Sequence, residues 1–129
     1  FKHYMSICDS APSEYLAKIA LKHGDTLLKR STKLIRENIK YADAFFKRHT
    51  DLFSKRPITC GPVAFHKLLI EIPVKKFCRL AVDKKGVLLL PADIYDVDGQ
   101  YFRMGYGRKG VPEALNKFEE FLSENGFSQ

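Results

Sequence analysis

An arginine set among glycines and aromatic residues is the side chain best placed to do chemistry. It is Arg103, in the run Tyr101, Phe102, Arg103, Met104, Gly105, Tyr106, Gly107 and Arg108. Aromatic residues dominate this run and residue types alternate with period two, which predicts a β-strand. Phe102, Met104 and Tyr106 then point to one face; Tyr101, Arg103, Gly105 and Gly107 point to the other. Glycine weakens a strand, so two on one face mark a place that something approaches closely. Beside Arg103 they leave room for a planar guanidinium and a guest. Arginine is shaped to grip a carboxylate through two parallel hydrogen bonds. The expectation is that Arg103 holds the carboxylate of a small acid. On residue types alone, an arginine on the wet face of a sheet stays open as the other reading.

Other reactive residue types form no constellation. The four histidines, His3, His23, His49 and His66, lack metal-ligand spacing and each reads as a surface or boundary residue. Cys8, Cys60 and Cys78 are odd in number without a C-x-x-C pair, which argues against a disulfide framework or a zinc site and fits a reducing cytosol. Gly105-x-Gly107 is too short for a dinucleotide fingerprint and lies inside a strand. Asp93, Asp96 and Asp98 lack the bidentate glutamate of a calcium loop. No lysine stands in an apolar setting that would depress its pKa. Alone, the chain does not read as a complete enzyme.

The elements that must position Arg103 follow from composition and periodicity. The 129 residues suit one domain with a core; 45% are apolar and 29% charged, as in ordinary globular proteins. No run approaches the ~20 apolar residues of a membrane helix, and no signal peptide opens the chain. It begins with Phe1, so a fragment or processed product is expected. The net charge of +7 is compatible with nucleic acid, an acidic lipid surface or an anionic small molecule. Its densest stretch, Lys22 to Arg48, reads first as a solvated helix face.

Tyr15, Leu16, Ile19 and Ala20 predict a first helix, with Ser10 as cap, Pro12 in its first turn and His23-Gly24 at its end. Asp25 should cap a long helix to about His49. Its stripes, Leu28, Ile35, Ile39, Ala42, Phe46 and Leu27, Leu34, Tyr41, Phe45, are wider than a small sheet needs. Either the first helix covers the surplus or something outside these residues does. A loop over 51–57, a strand over 58–60 and a strand over 63–72 follow. A helix from Pro73 to Gly86 should bury Val74, Phe77, Cys78, Ala81 and Val82. Val87 to Leu90 reads as a buried strand, Pro91 to Gln100 as a polar loop. A last helix from Pro112 to Gly126 turns Ala114, Leu115, Phe118, Phe121 and Leu122 inward. The expected fold class is α+β: a two-layer small domain whose short, mostly antiparallel sheet is covered by helices, with a long interdomain-type helix near the N-terminus. It is read as a single domain over 1–129, with 1–24 the connecting segment and first helix, 25–50 the long helix and 57–129 the sheet-helix unit.

Several stretches, in order, carry a family resemblance. Ser6 to Glu14 with Leu16-Ala17 and Ala20-Leu21 resembles the join between large and small domains in class I/II aminotransferases, pyridoxal-phosphate enzymes of fold type I. Arg36, Glu37 and Asn38 resemble part of that family's interdomain helix. Thr59 to Phe65, Gly86 to Pro91, Phe102 to Gly107, and Pro112 to Leu115 with Phe121-Leu122 resemble its later strands and terminal helix. The resemblance implies that Arg103 pairs with the substrate α-carboxylate, and that Gly61, Pro91, Ala92 and Asp93 lie near the substrate. Ala92 stands where a glycine is common and Asp93 replaces a small polar residue, which bears on side-chain preference. The Schiff-base lysine and the phosphate-binding residues lie upstream in the family, and no lysine here sits in the matching motif. The chain is therefore expected to be the C-terminal domain of a longer aminotransferase, inactive and without pyridoxal phosphate by itself. The whole enzyme would bind that cofactor through its missing N-terminal large domain. It would move an amino group between an amino acid and a 2-oxo acid, work as a cytoplasmic homodimer, and bind neither nucleic acid nor membrane.

Two other classes are weighed against this. One is a stand-alone ligand-binding or regulatory domain on the same scaffold. The other is a basic nucleic-acid-binding module, disfavoured because basic residues surround the long helix and no exposed aromatic stacking set is evident.

Overall fold

The computed structural model describes residues 10–127, together with Tyr4 and Cys8. The extended segment expected over the first ten residues lies largely outside them. The chain forms two compact units, Phe1–Lys33 and Leu34–Gln129.

In the first unit, helix α1 spans Ala11–Lys22 with a proline in its first turn, and Ser10 stands at its N-cap without a side-chain bond to the helix. Helix α2, Gly24–Arg48, begins here too. Gly24 is its first residue and not the left-handed stop expected of it, and Asp25 is in the first turn, where a negative charge suits the helix dipole. No residue of α1 is buried. Leu27 and Leu28 are exposed, so within this unit α1 does not cover them.

The second unit carries the sheet. Strands β1 (Phe53–Ser54), β2 (Val63–Leu68), β3 (Leu90–Pro91) and β4 (Tyr101–Gly105) are ordered β1-β2-β4-β3, every pair antiparallel. Helix α3 covers Val74–Lys85 and helix α4 covers Val111–Glu124. Gly86 at φ 66° and Gly126 at φ 68° follow these helices in the left-handed conformation that glycine tolerates best. Ile35 and Ile39 pack partly, and Ala42, Phe45 and Phe46 fully, against the core from α2.

An aromatic cluster forms the centre of that core. Phe45 stacks on Phe118 with ring centroids 5.1 Å apart. Phe53 meets Phe102 edge-on at 5.6 Å, and Phe77 meets Phe121 at 5.5 Å. Such pairs each add about 0.5–1.5 kcal/mol beyond the area they bury. Helices α3 and α4 and the carboxyl-terminal part of α2 pack on one face of the sheet, and the α+β two-layer expectation holds. Arg48 and His49 bond Glu119 of α4 at 2.8 and 2.7 Å, tying the end of α2 to that layer.

Several details differ from the sequence reading. The first strand is Phe53–Ser54, inside the expected loop, and residues 58–60 form no strand. Phe53 pairs with Leu68 and fills the aromatic cluster, which local propensity cannot announce. β2 ends at Leu68, before bends that lead to Pro73. Of Val87 to Leu90 only Leu90 is laddered; Val87 and Leu89 are buried but Leu88 is open, because one face lacks a helix. The polar loop after Pro91 holds a 3-10 turn, Ala92–Tyr95.

Candidate functional site

β4 divides its side chains as the alternation predicts. Phe102 and Met104 are buried in the core, and Tyr106 beyond them is too. Arg103, half-buried, lies on the face without helices, flanked by Phe65 of β2 and Leu90 of β3. Its Nη1 donates to the Tyr95 hydroxyl at 3.0 Å, and its guanidinium lies 5.5 Å from the centre of the Tyr95 ring. Tyr95 packs edge-on against Phe65, centroids 5.6 Å apart. The 3-10 turn therefore supplies an aromatic backing for the guanidinium and occupies one of its five donors.

The glycines next to it leave open space. A Cβ added at Gly105 would meet only Val63 Cγ1 at 4.0 Å, and one at Gly107 only Pro62 Cβ at 3.7 Å. Neither glycine has a positive φ, so the backbone does not demand them. What they border is a groove of about 460 Å³, lined by Pro62, Val63, Leu88, Leu90, Arg103 and Arg108 besides the glycines. Its size lies in the range of small-molecule sites, and its walls combine apolar surface with two cationic groups. Among the described residues neither arginine meets a carboxylate.

A buried polar network holds the end of β4 in place. The Asn38 amide donates to the carbonyls of Tyr106 and Arg108 at 2.7 and 2.8 Å. The Tyr106 N–H donates to the Pro62 carbonyl at 2.7 Å. The Tyr106 hydroxyl lies 2.6 Å from His66 Nε2. His66 Nδ1 accepts the Arg56 N–H at 3.2 Å, which puts the imidazole proton on Nε2, donating to Tyr106. Burial, with the nearby Lys55 charge, pushes His66 down to about 4, so it is neutral. Burial and the Asp43 charge push the Tyr106 phenol upward. The boundary role expected of His49 and His66 is thus corrected: both are buried, His49 with Nε2 against Glu119 and His66 with its two ring nitrogens against Tyr106 and the Arg56 amide.

The other residues singled out from sequence do not line the groove, and Pro91 and Asp93 lie toward helix α3, Pro91 paired with core-facing Phe102 and Asp93 opposite Lys75. Gly61 takes φ 72° in the turn before β2. Pro91 is paired in β3, and Ala92 is buried at the start of the 3-10 turn. Asp93 faces Lys75 at 3.5 Å, both largely exposed. Arg108, Leu88 and Leu90 were missed as site residues. Alternation sends an even-numbered residue such as Arg108 to the core, but the ladder ends at Gly105 and the rule lapses there.

Elsewhere the chemistry is quiet. A hollow of about 520 Å³ beside β1 is lined in part by Asp43 and Lys55, which form an ion pair with each other. Burial, assisted by the Asp93 charge, pushes the Cys78 thiol up to about 12, so it is not a nucleophile. Among the described residues no group of three His, Cys, Asp or Glu could hold a metal ion, and no helix is long and apolar enough to cross a membrane.

No family model matches the chain, and no curated protein matches it. Solved structures do. A pyridoxal-phosphate-dependent aminotransferase from Streptococcus suis 89-1591 is 25% identical, with a TM-score of 0.84 over 95% of this chain and 33% of its own. The pyridoxal-phosphate-dependent cyclase OrfR is 23% identical, with a TM-score of 0.80 over 91% of this chain and 33% of its own. N-succinyldiaminopimelate aminotransferase from Mycobacterium tuberculosis is 18% identical, with a TM-score of 0.72 over 93% and 33%. The chain spans about a third of the length of these structures. Fold and sequence pattern therefore agree: the chain resembles the C-terminal small domain of a fold type I, pyridoxal-phosphate-dependent aminotransferase.

That cofactor needs a lysine for its aldehyde and a carboxylate for its pyridine nitrogen. The groove is lined by neither. Its guanidinium donors fit a carboxylate.

Proposed function

We propose that this chain is the substrate-orienting part of a longer pyridoxal-phosphate-dependent aminotransferase, and that Arg103 receives the α-carboxylate of the amino acid and of the 2-oxo acid. The observation that carries this reading is the state of Arg103: backed by Tyr95, without an acidic partner among the described residues, and open to a groove cleared by two glycines. A guanidinium fixed in this way can accept a carboxylate through two parallel bonds without reordering its own side chain. Holding the carboxylate at one end restricts how the rest of the small molecule can lie, a proximity effect. The cofactor, held by the rest of the enzyme, would supply the electron sink.

The long helix suits a second role. Its carboxyl-terminal part is anchored in the core and bonded to the end of β4 through Asn38. A swing of this helix would carry Arg103 with it, closing the groove over the substrate and excluding water. Exposed Leu27 and Leu28 on the same helix are apolar surface that a large domain would cover. The cytoplasmic homodimer implied by the resemblance belongs to this reading as well.

The test is Arg103→Ala in the full-length enzyme. Affinity for every amino-acid substrate should fall by roughly 30-fold or more, as expected when a buried charge-assisted pair loses one partner. Arg103→Lys should recover only part of the loss, because an ammonium lacks the planar fork. Unchanged affinity in Arg103→Ala would remove Arg103 from the site.

A further inference from the structure

The arginine that opens on the groove is itself held from behind by a phenol. We propose that Tyr95 is the positioning residue of the carboxylate site: its hydroxyl occupies Nη1 of Arg103 and so presents the Nε–Nη2 edge of the guanidinium to the acid. This deepens the aminotransferase reading and rests on it for the carboxylate that Arg103 receives.

The first support is the geometry of the guanidinium. Its Nε and Nη2 share one edge of the plane, with two N–H bonds nearly parallel, and Nη1 lies outside that edge. A carboxylate gripped through two bonds needs such an edge complete. Nη1 of Arg103 donates to the Tyr95 hydroxyl at 3.0 Å, and the guanidinium lies 5.5 Å from the centre of the Tyr95 ring. The bond thus uses the nitrogen that the edge does not need. An arginine without this contact samples many rotamers, and ordering it on binding costs affinity.

The second support is that Tyr95 is braced on its other side. Phe65 of β2 stands directly across the ladder from Arg103. Tyr95 packs edge-on against Phe65 with centroids 5.6 Å apart, so one ring touches both members of a cross-strand pair. The 3-10 turn that carries Tyr95 begins at fully buried Ala92. It is closed by the N–H groups of Asp96 and Val97, which donate to the carbonyls of Asp93 and Ala92 at 3.2 and 3.3 Å. Asp96, next to Tyr95, has φ 53° and is the only non-glycine residue with a positive φ among the described residues. A conformation of this kind persists where its surroundings impose it, and such residues cluster at binding sites.

The third support is a comparison within the molecule. Arg56 makes a similar pair with Tyr101, its Nη2 donating to the hydroxyl at 3.2 Å and its guanidinium 5.0 Å from the ring centre. Arg56 does not line the groove, whereas Arg103 does. An arginine–tyrosine pair by itself therefore marks no site; the pair that opens on a groove does. Tyr101 becomes the control for Tyr95.

The experiment is calorimetric titration of the full-length protein with pentanoate, a plain carboxylate. Tyr95→Phe keeps the ring and removes the hydroxyl. Its affinity should fall about threefold to tenfold, the effect of ordering one long side chain on binding. Its melting temperature should be kept, because an exposed hydrogen bond adds little stability. Tyr101→Phe should bind as the wild type does. In an Arg103→Ala background, Tyr95→Phe should have no further effect, since the hydroxyl acts only through the guanidinium. In turnover, Tyr95→Phe should raise KM for the amino acid and for the 2-oxo acid by the same factor and keep kcat, because the carboxylate is held alike before and during the reaction. Wild-type affinity in Tyr95→Phe, equal losses in the two phenylalanine variants, a loss that persists without Arg103, or a fall in kcat with KM kept each overturn the positioning role. Pentanoate binding that is indifferent to Arg103→Ala overturns the underlying carboxylate reading instead, so the two failures are distinct.

Discussion

The side-chain amide of Asn38 donates to the main-chain carbonyl of Arg108 at 2.8 Å, across 70 positions of sequence. One side chain on the long helix thereby decides where the end of the arginine-bearing strand lies. Its second proton goes to the Tyr106 carbonyl at 2.7 Å, so both donors are used.

Replacing Asn38 by alanine leaves two carbonyls without a donor, one of them buried. A loss of about 1–3 kcal/mol is expected, read from the urea midpoint. Asn38→Asp should cost more than alanine at neutral pH, since it points a carboxylate at two carbonyl oxygens. Equal or smaller damage from aspartate would mean that the amide is not the latch.

His66 makes stability depend on pH. Its folded pKa, about 4, lies below the ordinary 6.5, chiefly through burial. The unfolded chain therefore binds the proton more readily. The contribution is complete above about pH 6.5 and declines as the pH falls toward about 4, amounting to about 3 kcal/mol over that window. His66→Gln should flatten this part of the stability curve relative to the wild type, whatever its stability at neutral pH. Denaturant midpoints taken between about pH 7.5 and pH 4.5 measure the difference, and parallel curves would assign the dependence to another group.

Gly105 has free space where a side chain would stand, the nearest atom being Val63 Cγ1 at 4.0 Å. Gly105→Leu should therefore fold as well as the wild type, within about 0.5 kcal/mol, and fill the groove beside Arg103. Binding of pentanoate by the full-length protein should drop at least tenfold while the melting temperature is kept. Undiminished binding would place the acid elsewhere.

Much of the architecture was legible because it follows local rules. The alternation around Arg103 gave β4 and its faces, confirmed by the burial of Phe102 and Met104. Spacings of three and four gave α2, α3 and α4, and Gly86 and Gly126 marked the ends of the last two. β1 was not legible, since two residues carry no period and its position is set by pairing with Leu68. The limits of β2 and β3 escaped for a similar reason: a ladder ends where its partner ends.

The candidate site divides along the same line. Residue type and spacing alone marked Arg103, because a guanidinium beside glycines on one strand face is a property of the chain. Arg108, Tyr95 and Leu88 joined it only through tertiary structure, where β4 stops, a 3-10 turn folds back and one sheet face lacks a helix. The roles of Asn38 and His66 also came only from the fold. A polar side chain becomes a buried anchor when partners tens of residues away satisfy its donors and acceptors, and no local pattern encodes that distance.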